Sequence, residues 1–155
     1  ALLSAARWGY VGIAKLLVEA GANTNAIRKG GNNALHRAVI FRREQMVRYL
    51  VQEAGLDVNS YGLRDATPLL MASDMGGDDD DIPADEAIVA FLLEQGANPN
   101  KTSGSGHAPL HAAARTGDVR CAERLLRAGA HLQVVTHKGN TPLHIAALHG
   151  HVNMV

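Results

Sequence analysis

Eight histidines in 155 residues are the first feature that suggests chemistry. His107 and His111 lie four apart, and His144, His149 and His151 cluster near the C-terminus, spacings that invite a zinc reading. A zinc site needs three or four ligands converging tetrahedrally. Recurrence argues against it: His36, His111 and His144 each follow a leucine (Leu35, Leu110, Leu143), so one residue type returns at one phase. That is the mark of a structural role, and it leaves His107, His137 and His149 as exposed histidines available for function. Asp74, Asp78, Asp79, Asp80, Asp81, Asp85 and Glu86 offer carboxylate oxygens of the kind a hard divalent cation takes. Four contiguous aspartates lack the alternation and the sixth-position glycine of an EF-hand, so a solvated loop is expected. Asp85 and Glu86 suit the first turn of a helix, where the macrodipole favours anions. The single cysteine, Cys121, excludes an internal disulfide and has no recognisable His/Asn constellation, so a packed thiol is expected. Gly30-Gly31 and Gly104-Ser105-Gly106 read as chain turns, not as strand-to-helix phosphate loops. No catalytic residue, metal ligand or cofactor is expected, and the chain reads as non-enzymatic.

Composition agrees. Hydrophobic residues make up 46% and charged residues 19%, the balance of one globular domain. Lys+Arg and Asp+Glu number 15 each, so the formal charge is zero and nucleic acid is an unfavoured partner. The zero is a sum of unlike parts: +6 over residues 1–49, −10 over 50–100 and +4 over 101–155. Such polarity steers charged partners. Arg37, Arg42, Arg43 and Arg48 form a basic cluster that reads mainly as a solvated face. No apolar run approaches the length of a membrane span, and no signal peptide is evident. One cysteine favours a cytoplasmic or nuclear setting. The chain opens on Ala1 rather than Met, so it is expected to be a piece of something longer.

Self-similarity organises the rest. Thr141-Pro142-Leu143-His144-Ile145-Ala146-Ala147 is echoed by Ala108-Pro109-Leu110-His111-Ala112-Ala113-Ala114, by Thr67-Pro68-Leu69-Leu70-Met71-Ala72, by Asn33-Ala34-Leu35-His36-Arg37-Ala38 and, worn, by Leu2-Leu3-Ser4-Ala5-Ala6. The anchoring leucines 2, 35, 69, 110 and 143 are 33, 34, 41 and 33 apart. A second anchor, ending in Gly21, Gly55, Gly96 and Gly129, lies 14 residues before the next leucine every time. Pro68, Pro109 and Pro142 fit the first helical position, where a missing N–H costs nothing. Thr67 and Thr141 precede two of them as N-caps. Small residues follow and let short helices approach. Gly117 and Gly150 turn the chain into a second helix with apolar residues at helical spacing, such as Ile13, Leu16 and Leu17, or Ile88, Phe91 and Leu92. Gly21, Gly96 and Gly129 stop it.

A period near 33 with T-P-L-H-x-A resembles ankyrin repeats, four in full and part of a fifth. The resemblance implies an all-α solenoid of stacked helix-turn-helix units with β-hairpin fingers, a single domain over 1–155. Repeats are expected at 1–30, 31–64, 65–105, 106–138 and 139–155, the last incomplete. Repeat 3 is eight residues too long, and the acidic surplus at 77–84 is expected to loop out between its helices, away from the fingers. Repeat 2 has one extra residue near 52–54 and Arg42 where the inter-helix glycine belongs. Neither end resembles a polar capping repeat, so the parent chain is expected to continue, at least C-terminally.

The resemblance also implies function. Ankyrin repeats bind proteins with the fingers and the exposed side of the first helices, five and six residues past each anchoring leucine. Those positions are Arg7 and Trp8, Ile40 and Phe41, Asp74 and Met75, Arg115 and Thr116, and Leu148 and His149; finger positions facing the same way include Ile27, Lys29, Asn32, Tyr61, Leu63, Arg64, Thr102, Ser105, His107, Val135, His137 and Lys138. Scarce aromatics at exposed phase mark an interaction patch. Trp8, Ile40, Phe41, Tyr61, Leu63 and Met75, rimmed by Arg7, Lys29 and Arg37, are therefore expected to bind a protein or peptide, favouring an acidic or phosphorylated segment. The alternative is that Trp8 and Phe41 are core residues. A monomer is expected. A second reading makes the module a regulatory or substrate-recruiting segment of a larger enzyme, of ubiquitin-ligase adaptor or kinase type. The T-P-L-H histidines are implied to hydrogen-bond neighbouring finger backbone. Asn25 and Asn100, closing L-x-x-x-x-G-A-x-x-N, resemble targets of asparaginyl hydroxylation, the alternative being that they close finger hydrogen bonds.

Overall fold

The computed structural model describes residues 1–27, 30–74 and 85–154. Lys29, Met75 and the acidic insertion 77–84 lie outside the described residues. Among the described residues there are nine helices and no strand: α1 (Leu2–Trp8), α2 (Val11–Glu19), α3 (Ala34–Ile40), α4 (Glu44–Gln52), α5 (Pro68–Ser73), α6 (Glu86–Glu94), α7 (Pro109–Thr116), α8 (Val119–Arg127) and α9 (Pro142–Leu148).

The helices begin and stop where the residue chemistry says. Thr67 and Thr141 accept hydrogen bonds from the Leu70 and His144 backbone N–H groups, with proline at the first turn behind each. Asn33, Asp85 and Asp118 cap α3, α6 and α8 in the same way. The turns between paired helices are left-handed: φ is +77° at Gly9 and +71° at Gly117. Repeat 2 makes the same turn with Arg42, at φ +53°, although a Cβ disfavours that region. Gly129, at φ +90°, ends α8 in open space, with nothing within 4 Å of an added Cβ. Gly129→Val is therefore opposed by the backbone conformation alone, and the expected cost is more than about 1 kcal/mol in a urea melt. An unchanged midpoint would contradict this.

Two rows result. First helices α1, α3, α5, α7 and α9 pack in sequence, and second helices α2, α4, α6 and α8 line up behind them. Alanines make the first row close: Ala6, Ala38, Ala72 and Ala113 are fully buried. The anchoring leucines 2, 35, 69 and 110 are buried, whereas Leu143, in the last described helix, is 50% exposed. One continuous apolar cluster joins Leu35, Met46, Leu50, Leu69, Ile88, Phe91, Leu92 and Leu125, so stacked units share a core that no single unit could build. Cys121 is buried within it, and burial pushes its thiol up to about 11, which makes it a packed and unreactive side chain.

The fingers are turns whose ends are joined by backbone hydrogen bonds: Gly62 N–H to Ala66 C=O (2.9 Å), Ser103 N–H to His107 C=O (2.9 Å) and Thr136 N–H to Asn140 C=O (2.9 Å). Neighbouring fingers are tied by Gly104 N–H to Arg64 C=O (2.9 Å) and His137 N–H to Ser105 C=O (3.1 Å).

Candidate functional site

Fingers 62–66 and 103–107 stand beside the first helices and enclose a cleft of about 620 Å³. Its floor is apolar, from Ala66, Leu70, Met71, Ala112 and Ile145, and Ile40 and Leu63 extend it on one side. Its polar lining is Asn32, Arg64, Asp74, Ser103, Ser105, His107, His111, Arg115 and His149.

Each polar group is held by local geometry. The Arg115 guanidinium donates to Asp74 Oδ1 through Nε (3.0 Å) and Nη2 (2.9 Å), bridging α5 and α7. Both partners are solvated, so the pair contributes at most about 1 kcal/mol. Ser103 and Ser105 hydroxyls lie 3.1 Å apart, and Ser105 Oγ is 2.9 Å from His107 Nδ1. Nucleophilic catalysis requires a third group to orient the imidazole, and among the described residues no carboxylate bonds the His107 ring. No group of three or more His, Cys, Asp or Glu able to hold a metal occurs among the described residues.

His111 is structural. Its Nδ1 accepts from the Ala108 N–H (3.1 Å), so its Nε2 carries the proton and donates to Asn140 C=O of the next finger (2.9 Å). His36 Nε2 lies 3.2 Å from Ser60 C=O and its Nδ1 2.7 Å from Asn33 Oδ1, and His151 Nε2 reaches Arg115 C=O (2.9 Å). Burial lowers the pKa of His36 and of His111, against the opposing effect of those carbonyl bonds. A depressed histidine pKa means that the unfolded chain, near 6.5, takes up protons first. Stability is therefore complete above about pH 6.5 and falls as pH falls below it. Urea midpoints measured at about pH 7.5 and 5.5 are expected to show the loss, and His36→Gln to shrink it; an equal or higher midpoint in acid would contradict this sign.

The residues singled out by phase divide into three groups. Ile40 and Leu63, 40% and 49% exposed, line the cleft. Trp8, Phe41, Arg37 and Tyr61 do not. Trp8 is exposed at the end of α1, and the Arg7 guanidinium sits 5.2 Å from its ring and 4.8 Å from that of Phe41. Arg37 covers Phe41 at 5.8 Å and donates Nε–H to Leu3 C=O (3.0 Å), so Phe41 is half-buried between two guanidiniums. Tyr61 is exposed, with Lys101 Nζ 4.2 Å from its ring. The third group, Lys29 and Met75, lies outside the described residues.

Phase arithmetic missed Leu70, Met71, Ala112 and Ile145 on the floor. They sit one or two residues past the anchoring leucine, four or so before the exposed phase, and so share its helix face. That signal is present in the sequence. The two asparagines differ. Asn100 donates Nδ2–H to Gly129 C=O (2.9 Å) and accepts from His131 N–H (2.8 Å), and Asn59 makes the equivalent pair with Gly96 and Asn98. Asn25 is exposed, and among the described residues no such pair joins it to Gly55 or Asp57.

Stacked helix pairs with a row of fingers forming a concave cleft define a repeat solenoid. Residues 1–62 and 82–155 match the family model for ankyrin repeats (3 copies), and the chain belongs to the ankyrin-repeat family. It is 32% identical over 127 residues to neurogenic locus notch homolog protein 1 of Danio rerio and equally to neurogenic locus notch homolog protein 2 of Homo sapiens, covering 82% of this chain. It is 29% identical over 113 residues to transient receptor potential cation channel subfamily A member 1 of Homo sapiens, covering 73% of this chain. The chain spans 5% of the length of those Notch proteins and 9% of that channel. Ankyrin repeats are generally protein-interaction modules. Among the described residues no helix is long and apolar enough to cross a membrane.

Proposed function

We propose that this chain is a protein-recognition module whose partner, a protein or peptide, lies in the concave cleft between fingers and first helices. The cleft itself carries the reading. It is open, about 620 Å³, apolar on its floor and polar around it, with Ile40 and Leu63 exposed where the fold gains nothing from leaving them in water. The Trp8–Arg7–Phe41–Arg37 stack adjoins it through Ile40 and extends the surface toward the N-terminus. The test is a pair of variants. Ile40→Glu with Leu63→Glu is expected to lose bound proteins in a pull-down at an unchanged melting temperature. Trp8→Ala with Phe41→Ala is expected to weaken capture less. Full retention by the first pair would overturn the reading.

A second reading, a regulatory or substrate-recruiting segment of a larger enzyme, draws support from one relative. Glycerophosphocholine phosphodiesterase gde1 of Schizosaccharomyces pombe is 29% identical over 113 residues, and this chain spans 9% of that protein. For modification, we propose Asn25 rather than Asn100 as the hydroxylation target, since the Asn100 amide is engaged at both ends. Mass spectrometry after incubation with an asparaginyl hydroxylase is expected to find added oxygen on the Asn25 peptide; oxygen on Asn100 instead would contradict this.

A further inference from the structure

The fingers are not alike. In 103–107 and 136–140 the turn closes Gly106 N–H to Ser103 C=O (2.9 Å) and Gly139 N–H to Thr136 C=O (2.8 Å), and among these residues only Gly106 and Gly139 have positive φ, +81° and +77°. That is the usual three-residue hairpin, a right-handed turn followed by one left-handed glycine. In 62–66 the equivalent bond, Asp65 N–H to Gly62 C=O (3.1 Å), is kept, but two successive residues are left-handed, Arg64 at φ +57° and Asp65 at φ +58°, and a second bond joins Ala66 N–H to Leu63 C=O (3.2 Å). This is the pattern of a type I′ turn, which prefers Asn-Gly. Here it is built from Arg-Asp, with Asp65 in the position that Gly106 and Gly139 hold. A non-glycine pair in that region is strained, and strain of this kind concentrates at ligand sites. The reversed turn re-aims one side chain: Arg64, exposed and lining the cleft.

The cleft's charges give that side chain a purpose. Asp74 is its one carboxylate among the described lining residues, and Arg115 already holds it at 2.9 Å. Arg64 makes no ion pair with any described residue. It therefore stands over an apolar floor (Leu70, Met71, Ile145) as an uncompensated cation. Resting on the proposal that the cleft binds a protein segment, we infer that Arg64 is its specificity-determining residue and selects an extended segment carrying an Asp or Glu beside an apolar side chain. The apolar side chain fills the floor, the carboxylate pairs with the Arg64 guanidinium, and a segment bearing Lys there is rejected by like charge.

The experiment is selection of phage-displayed random 12-residue peptides on the full chain, on Arg64→Gln and on Ser105→Trp, which fills the cleft from a finger. Each variant is first checked by thermal melt. Wild type is expected to enrich peptides with an acid next to an apolar residue. Synthetic copies are expected to bind Arg64→Gln at least tenfold more weakly, while copies with Gln in place of the acid bind both proteins alike. Arg64→Asn with Asp65→Gly supplies the preferred turn residues; it is expected to melt higher and to lose the acid preference. Enrichment without an acid bias, or a bias kept by Arg64→Gln, overturns the inference and leaves the cleft reading intact. Equal enrichment by wild type and Ser105→Trp overturns both.

Discussion

Phe91→Ala is expected to cost about 3–5 kcal/mol, the range for emptying an aromatic site in a core. Phe91 lies on α6 at 1% exposure, and the Arg48 guanidinium of α4 sits 4.6 Å from its ring. α6 packs on α4 before it and α8 after it, so the cavity falls between neighbours that hold each other up. A domain of this size is stable by only about 5–15 kcal/mol. In a stacked array the loss also uncouples the two sides of the damaged unit. A urea titration followed by helical circular dichroism should show a much lower midpoint, and a broadened or two-step transition as the flanking units unfold separately. A loss below about 1.5 kcal/mol would mean that Phe91 is not the centre of the core. Phe41→Ala is the comparison. Half-exposed between two guanidiniums, it is expected to cost far less.

Gly106→Ala is expected to have the next largest effect, several times that of Gly139→Ala. Both glycines hold the same place in their fingers, with φ near +80°. Each alanine costs about 1 kcal/mol or more for the left-handed backbone. The surroundings then separate them. A Cβ at Gly106 meets the backbone nitrogen of His137 at 2.8 Å and Thr136 C at 3.1 Å, because the next finger packs directly on it. Gly139 has nothing within 4 Å. Backbone cannot swing aside as a side chain can, so Gly106→Ala must push finger 136–140 away and break the His137 N–H to Ser105 C=O bond. Melting temperatures of the two variants, measured together, decide it; equal losses would show that the fingers are not packed this closely.

Both residues are legible in the amino-acid sequence. Phe91 follows from the helical spacing of Ile88, Phe91 and Leu92, and Gly106 from the Gly104-Ser105-Gly106 turn. Such features repeat, and repetition averages out accident. The N-caps at Thr67 and Thr141 are legible for the same reason, whereas the histidine-to-finger bonds follow from the family resemblance. What repetition hides is departure from it. Arg64-Asp65 aligns with Ser105-Gly106 by count, yet turns with the opposite hand, because a single substitution at a glycine position changes which turn is available. Phe41 sits at an exposed phase, yet two arginines from α1 and α3 fold over it. Asn25 and Asn100 share one motif, but only Asn100 reaches the next unit's carbonyl, and the length of repeat 2 is altered by one residue at 52–54. The aromatics drew the expected surface toward Trp8. The cleft is lined as well by Met71, Ala112 and Ile145, side chains too ordinary in type to attract notice.

The most direct measurement is a backbone amide NMR titration of the ¹⁵N-labelled chain with a peptide taken from the selection. Binding in the concave cleft predicts the largest shift changes at Leu63, Arg64, Met71, Ser105, His107 and Ala112, with α4, α6 and α8 unmoved. Changes confined to those second helices, or to Trp8 and Tyr10 without the fingers, would contradict it.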